Sequence, residues 1–209
     1  MMMVANFARW SACEILMAPW NGAIQENFEM GKQPAMSMTV PIRPPRTYST
    51  GQFIRFIRVV SLFGAVLTSA WVLSQYPSMP DIVPTHFDLM GKPDNHGEKS
   101  SALWVSGVMV VMMVLITWVS TKPGSLNYPN AITEENAQSI YREGERMMVF
   151  LAADLLLLYL GIALSWSNVN GAGLVIIGMI GLFVVLVVSI VRIISAGRKA
   201  PEPSGNSAN

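Results

Sequence analysis

Cysteine is almost absent. Cys13 stands alone among 209 residues, so no disulfide can close within the chain. Charge is scarce as well: 13% of residues are Asp, Glu, Lys or Arg, where an ordinary soluble domain has about 25%. The net charge of +1 gives a nucleic-acid partner no electrostatic footprint. The opening "MMMVANFARWSACEILMAPWNGA" lacks the continuous apolar core of a secretion signal, because Glu14 and Pro19 interrupt it. "WSAC" also lacks the aliphatic residue and the preceding apolar run that would make Cys13 a lipoprotein site.

What remains is apolar: 52% of residues are hydrophobic and 15 are methionine, a balance suited to a chain whose solvent is largely lipid. Four runs reach the length of about 20 residues that a helix needs to cross a bilayer. They are approximately Ile57 to Leu73, Ala102 to Ser120, Met147 to Trp166 and Gly171 to Ile194. A soluble bundle would put a polar stripe at helical spacing on each. "LWVSGVMVVMMVLITWV" and "LVIIGMIGLFVVLVVSIV" have none. The expected fold is an all-α integral membrane protein with four transmembrane helices and a proline-rich extended outer loop between helices 1 and 2.

Basic residues are retained on the cytoplasmic side of a membrane. Ten of them flank the expected inner ends: Arg43, Arg46, Arg55, Arg58, Lys122, Arg142, Arg146, Arg192, Arg198 and Lys199. The other side has Lys92 and Lys99, and the connection after Trp166 carries no basic residue. A multi-pass plasma-membrane protein with cytoplasmic N- and C-termini follows. Trp71, Tyr76, Trp104 and Trp166 then fall near the outer interface and Trp118 near the inner one, where amphipathic rings prefer to lie.

Three regions result. Residues 1–52, with "KQPAMSMTVPIRPPRTYSTGQ", read as a flexible cytoplasmic segment. Residues 53–196 form the four-helix membrane domain, and 197–209 a disordered cytoplasmic tail. A start of translation at Met36 or Met38 would leave a short basic leader before the first helix. Mass spectrometry of the natural N-terminus tests this expectation, and peptides from before Met36 would overturn it.

Polar chemistry is concentrated in "PTHFDLMGKPDNHGEK", Pro84 to Lys99, which holds both histidines, three carboxylates and two lysines. Pro77, Pro80, Pro84 and Pro93 fix backbone torsions and remove donors, so an extended path is expected. In "THFD" the alternation places His86 and Asp88 on one side and Phe87 on the other. "GKPDNHG" has the residues of consecutive turns, which would bring Asp94 and Lys99 back toward His86, and Ser100 or Ser101 is the candidate N-cap of the second helix.

The stretch "YPSMPDIVPTHFDLMGKPDNHGEKSSALW" resembles the family catalogued as domain of unknown function 1648, found in SdpI-like bacterial membrane proteins. The matching positions are Pro80, Asp81, Val83, Pro84, His86, Phe87, Asp88, Gly91, Pro93, Asp94, Gly97 and Lys99, within a family loop at 76–101. Asp88 stands where the family usually has asparagine, and His96 where an aromatic is common. "NYPNAITEENAQSIYREGERMM" is similar to the family's connection between the second and third helices. There Thr133 is the candidate N-cap, with Glu134 and Glu135 at the positive end of the helix dipole. The resemblance covers roughly Arg55 to Ile194 in layout and is specific in the opening loop; one member of the family, similar in that loop and the helices around it, is linked to immunity against a secreted toxin.

Pro84, His86, Phe87, Asp88, Gly91, Asp94 and Lys99 are the candidate ligand-binding or loop-structuring residues. His86, Asp88, Asp94 and His96 are donor types that a zinc site uses, but their spacing matches no closed metal signature. A hydrogen-bonded loop capping the bundle is the preferred reading, because polar groups near lipid must be satisfied. No metal, cofactor or catalytic residue is therefore assigned. Lys99 is expected to pair with Asp94 and lock the turn, with anionic headgroups as its alternative partner. In "MMVFLAADLLLLYLG" Asp154 lies about two turns inside the third helix, either in a functional role or paired with Arg58 or Arg146. The other helices offer no buried ionisable group for a transport path. Gly171, Gly173, Gly178 and Gly181 suit close helix packing within the chain.

The leading functional reading is noncatalytic: the outer loop meets an extracellular peptide or lipid, in immunity, sensing or envelope homeostasis. The alternatives are an envelope enzyme or metal-dependent module using His86 and Asp94, and an accessory subunit of a membrane complex. The lipid bilayer is the expected environment in each case.

Overall fold

The computed structural model describes residues 43–198. The expectations for Met36, Met38, Cys13 and most of the tail lie outside them. Four helices dominate: α1 (Gln52–Gln75), α2 (Ser100–Ser120), α3 (Ala137–Trp166) and α4 (Ala172–Arg198). All four are long and apolar enough to cross a membrane. A hairpin of β1 (Ile82–Phe87) and β2 (Pro93–Glu98) joins α1 to α2. The loop read as extended from its prolines is thus a two-stranded antiparallel sheet.

The inward positions of the first two helices explain why no polar stripe faces out. On α1 the buried residues are Ser61, Ala65, Thr68 and Val72; on α2 they are Ala102, Ser106, Met113, Thr117 and Ser120. The repeat is helical, but its occupants are small or hydroxylated, while Phe53, Phe56, Phe63, Trp104, Val111 and Trp118 stand exposed. Small inward residues let backbones approach, and large apolar ones outside suit lipid. Ser61 and Thr68 return their hydroxyls to the carbonyls of Ile57 and Gly64 in their own helix, each at 2.8 Å.

Helix α3 is the hub and packs against α1, α2 and α4. Tyr159 of α3 meets Ser69 of α1 at 2.8 Å. At the turn into α4, Asn168 has φ 58° and the amide of Val169 donates to the carbonyl of Leu164, a helix stop closed by a left-handed residue. Gly171 then lies against the backbone of Gly161, and any Cβ there would collide with the Gly161 carbonyl. The intramolecular packing expected of the α4 glycines is what Gly171, Gly178 and Gly181 perform against α3.

Helix starts depart from the expected caps. Lys99, not Ser100 or Ser101, occupies the N-cap of α2, with no side-chain cap. Asn136 is the N-cap of α3, and Thr133 forms the preceding turn by exchanging hydrogen bonds with it: the Thr133 amide to Asn136 Oδ1 at 2.8 Å and the Asn136 amide to Thr133 Oγ1 at 3.4 Å. Helix α3 begins ten residues before the apolar run, because "AQSIYREGER" packs Ala137, Ile140 and Tyr141 into a second core with Ile193.

The end opposite the hairpin is closed by residues 43–51, a strap where the sequence suggested part of a flexible segment. Arg43 Nη1 donates to the carbonyls of Gly124 (2.8 Å) and Leu126 (2.6 Å). Tyr141 donates to the Pro44 carbonyl at 3.1 Å, and Gln138 both donates to the Pro45 carbonyl and accepts from the Thr47 amide. At its centre is Glu145, which is 2% exposed. It accepts from Tyr48 (2.9 Å), Thr50 (2.6 Å) and Arg58 (2.6 Å), and lies 3.2 Å from Arg46. Burial, then its bond to Glu145, raises the Tyr48 phenol well above its ordinary value, so it stays a donor. Burial likewise raises Tyr128, whose hydroxyl donates to the Pro123 carbonyl at 2.8 Å.

Removing a buried carboxylate strands the cations around it, and the Arg58 side chain is only 16% exposed. Glu145→Ala is expected to lower stability by about 3–5 kcal/mol in detergent unfolding, whereas Glu134→Ala at an exposed position leaves the midpoint near native. Equal midpoints for Glu145→Ala and the native protein would remove Glu145 from this role.

Candidate functional site

The hairpin is seated on the bundle through one strand. Val83 of β1 is fully buried among Val72, Met79, Ala102, Tyr159, Ala163 and Trp166. The neighbouring Pro84 has no amide to give the sheet, but its carbonyl accepts from Trp166 Nε1 at 2.8 Å. The register runs Ile82 to Glu98, Val83 to Gly97 and Pro84 to His96, then slips, so that His86 faces Asn95 and Phe87 faces Pro93. Thr85 is the extra residue of this bulge. Strand β2 is exposed at every position except the half-buried Gly97.

The bulge and the turn decide which polar residues meet. His86 Nδ1 lies 2.5 Å from Asp94 Oδ1, across the two strands, with both side chains largely in solvent. Asp88 does not join them. Its Oδ1 accepts from the amides of Met90 and Lys92, each at 2.8 Å, and its carbonyl accepts from the Gly91 amide at 2.9 Å. An asparagine Oδ1 would accept the same pair of bonds, because both side chains offer an acceptor oxygen at that position. Gly91 has φ +69° and lies buried against the Ala172 carbonyl and Ile176 of α4, a conformation and a space that suit glycine.

Lys99 departs from its expected partner. Its Nζ lies 3.2 Å from Asp81 and 5.7 Å from the centre of the Tyr76 ring, while its amide donates to the Asp81 carbonyl at 2.9 Å. Lys99 therefore closes the base of the hairpin, because Asp94 is turned across β1 to His86. Phe87 is half-buried and so is Asp88, so burial does not separate the two sides expected of the alternation. The turn leaves Leu89 and Met90 at 82% and 68% exposure, an apolar tip beside a polar strand. Sequence reasoning missed this tip; "DLMG" between two strand-like runs was its signal.

His86 and Asp94 together are two potential metal donors. Among the described residues no group of three or more His, Cys, Asp or Glu is placed to hold an ion. Asp154 lies far along α3 and meets neither of its expected partners, since Arg58 binds Glu145 and Arg146 binds Glu143. It is 7% exposed, lies against Gly181 of α4, and its Oδ2 has no hydrogen-bond partner. Sequence reasoning also missed Glu145 and Glu143, whose signal was two carboxylates among arginines just before an apolar run.

Among the described residues, four helices long and apolar enough to cross a membrane, with a polar hairpin at one end, define a multi-pass membrane protein. Residues 63–111 match the family model described as Domain of unknown function (DUF1648), and over that segment the chain carries a domain of this family. The matched segment runs from within α1 through the whole hairpin into α2. No curated protein and no solved structure matches the chain.

Proposed function

We propose that the hairpin is a recognition surface, facing outward, for an extracellular peptide or lipid, and that the protein acts noncatalytically in immunity, sensing or envelope homeostasis. The observation that carries this reading is the pairing of opposites on one anchored element. The exposed apolar tip Leu89–Met90 adjoins the exposed His86–Asp94 pair, and both sit on a base held by Val83, Pro84 and Gly91. Such a surface offers an amphipathic ligand an apolar contact and a hydrogen-bonding edge without first having to order itself. The resemblance to SdpI-like proteins gives the immunity reading its weight.

The orientation belongs to the same proposal. Both described ends of the chain emerge opposite the hairpin, and the basic excess gathers there, so the positive-inside bias puts the hairpin outside. A membrane-impermeant maleimide on intact cells is expected to label Asn95→Cys and not Thr47→Cys; the reverse pattern would place the hairpin inside.

Survival of a deletion strain against secreted membrane-active peptides tests the function. Native protein is expected to protect, and His86→Ala or Asp94→Ala at matched membrane levels to weaken peptide binding about tenfold, the scale of one hydrogen bond to a charged group. Protection unaffected by either change would reject the hairpin face as the contact.

A further inference from the structure

At the end opposite the hairpin a cleft of about 600 Å³ opens between the start of α3 and the end of α4. Glu143 is its organising group. It accepts from Arg146 Nη1 at 2.5 Å and from Arg192 Nε and Nη2 at 2.8 and 3.3 Å. These bonds orient two guanidiniums and leave Arg146 Nη2 and Arg192 Nη1 without a protein partner among the described residues. Arg142 stands on the same cleft, 5.0 Å from the centre of the Tyr48 ring. With Glu135 and Glu143 counted against the three arginines, the cleft keeps a positive excess.

The same three residues, Glu143, Arg146 and Arg192, also form the mouth of a second, smaller hollow of about 150 Å³. This one is apolar. Phe150 lies one turn along α3 from Arg146, and Val188 and Val184 lie one and two turns along α4 from Arg192, because the helices run antiparallel. All three apolar side chains are exposed on the lipid-facing surface. A cationic head site therefore continues into an apolar furrow that points along the membrane-crossing helices.

We propose that this α3–α4 furrow binds an anionic phospholipid, with its phosphate on Arg146 and Arg192 and one acyl chain along Phe150, Val184 and Val188. Forked guanidinium donors match phosphate oxygens in geometry as well as charge, and basic pockets between membrane helices suit anionic headgroups. The occupant is a lipid and not a free phosphate because the furrow leads away from water. The proposal is independent of what the hairpin recognises.

Native mass spectrometry of the full chain in detergent tests it, with phosphatidylglycerol, phosphatidylcholine of the same acyl chains, and glycerol phosphate as three probes. Phosphatidylglycerol is expected to be retained at least about tenfold more tightly than phosphatidylcholine, and R146Q and R192Q each to lose about fivefold. V188W, which fills the furrow, is expected to weaken phosphatidylglycerol while leaving the headgroup site open. R192Q alters a side chain at the surface, so a folding defect in R146Q does not remove the test. Equal retention of the two lipids, native-like binding by R192Q and V188W, or glycerol phosphate binding as tightly as the lipid would each overturn the proposal.

Discussion

A carboxylate in a nearly waterless place organises one end of this protein. Burying Glu145 costs desolvation energy that no single partner would offset, and Tyr48, Thr50, Arg58 and Arg46 share the task. Three of those partners come from the strap before α1, and the fourth from α1 itself. One side chain of α3 thereby ties the chain's entry into the membrane to the helix that every other helix touches. Tyr48 extends the arrangement: Arg46 lies 4.4 Å from its ring centre and Arg142 5.0 Å, so the same ring that donates to Glu145 also holds a guanidinium at the α3–α4 cleft.

Along the membrane the forces are of another kind. Apolar side chains gain little by leaving lipid for one another, so packing rests on fit. Gly161 against Gly171 and Gly178 against the Leu158 backbone bring α3 and α4 into close contact. Asp154 lies in the same contact, beside Gly181, where a larger residue on α4 would crowd its carboxyl. At the far end, the hairpin completes the core instead of standing apart from it, through Val83 and the bond from Trp166 to Pro84.

The family segment, 63–111, spans the hairpin and parts of the two helices it joins. Within it, three residues have local structural work: Gly91 adopts a left-handed backbone, Asp88 closes the turn, and Lys99 fastens the base. His86 and Asp94 differ in that their contact stabilises an exposed surface pair, which contributes little to folding. That contrast separates residues that build the hairpin from those it displays. The α3–α4 furrow lies outside the matched segment.

Periodicity and length determined the helices. Four apolar runs without a polar stripe admit few alternatives, since an unpaired backbone in lipid is too costly for anything but a helix or a closed barrel. Their number and the meeting of His86 with Asp94 were legible for local reasons, whereas the pairing of the loop into a hairpin was not. Partner choice was not. Lys99 takes Asp81 over Asp94, Arg58 takes Glu145 over Asp154, and "PPRTYST" becomes a strap instead of a free lead-in. Each of these depends on which distant segment lies within about 3 Å, the reach of a hydrogen bond. Composition and spacing along the chain carry no measure of that distance; the packing of α3 against its neighbours supplies it.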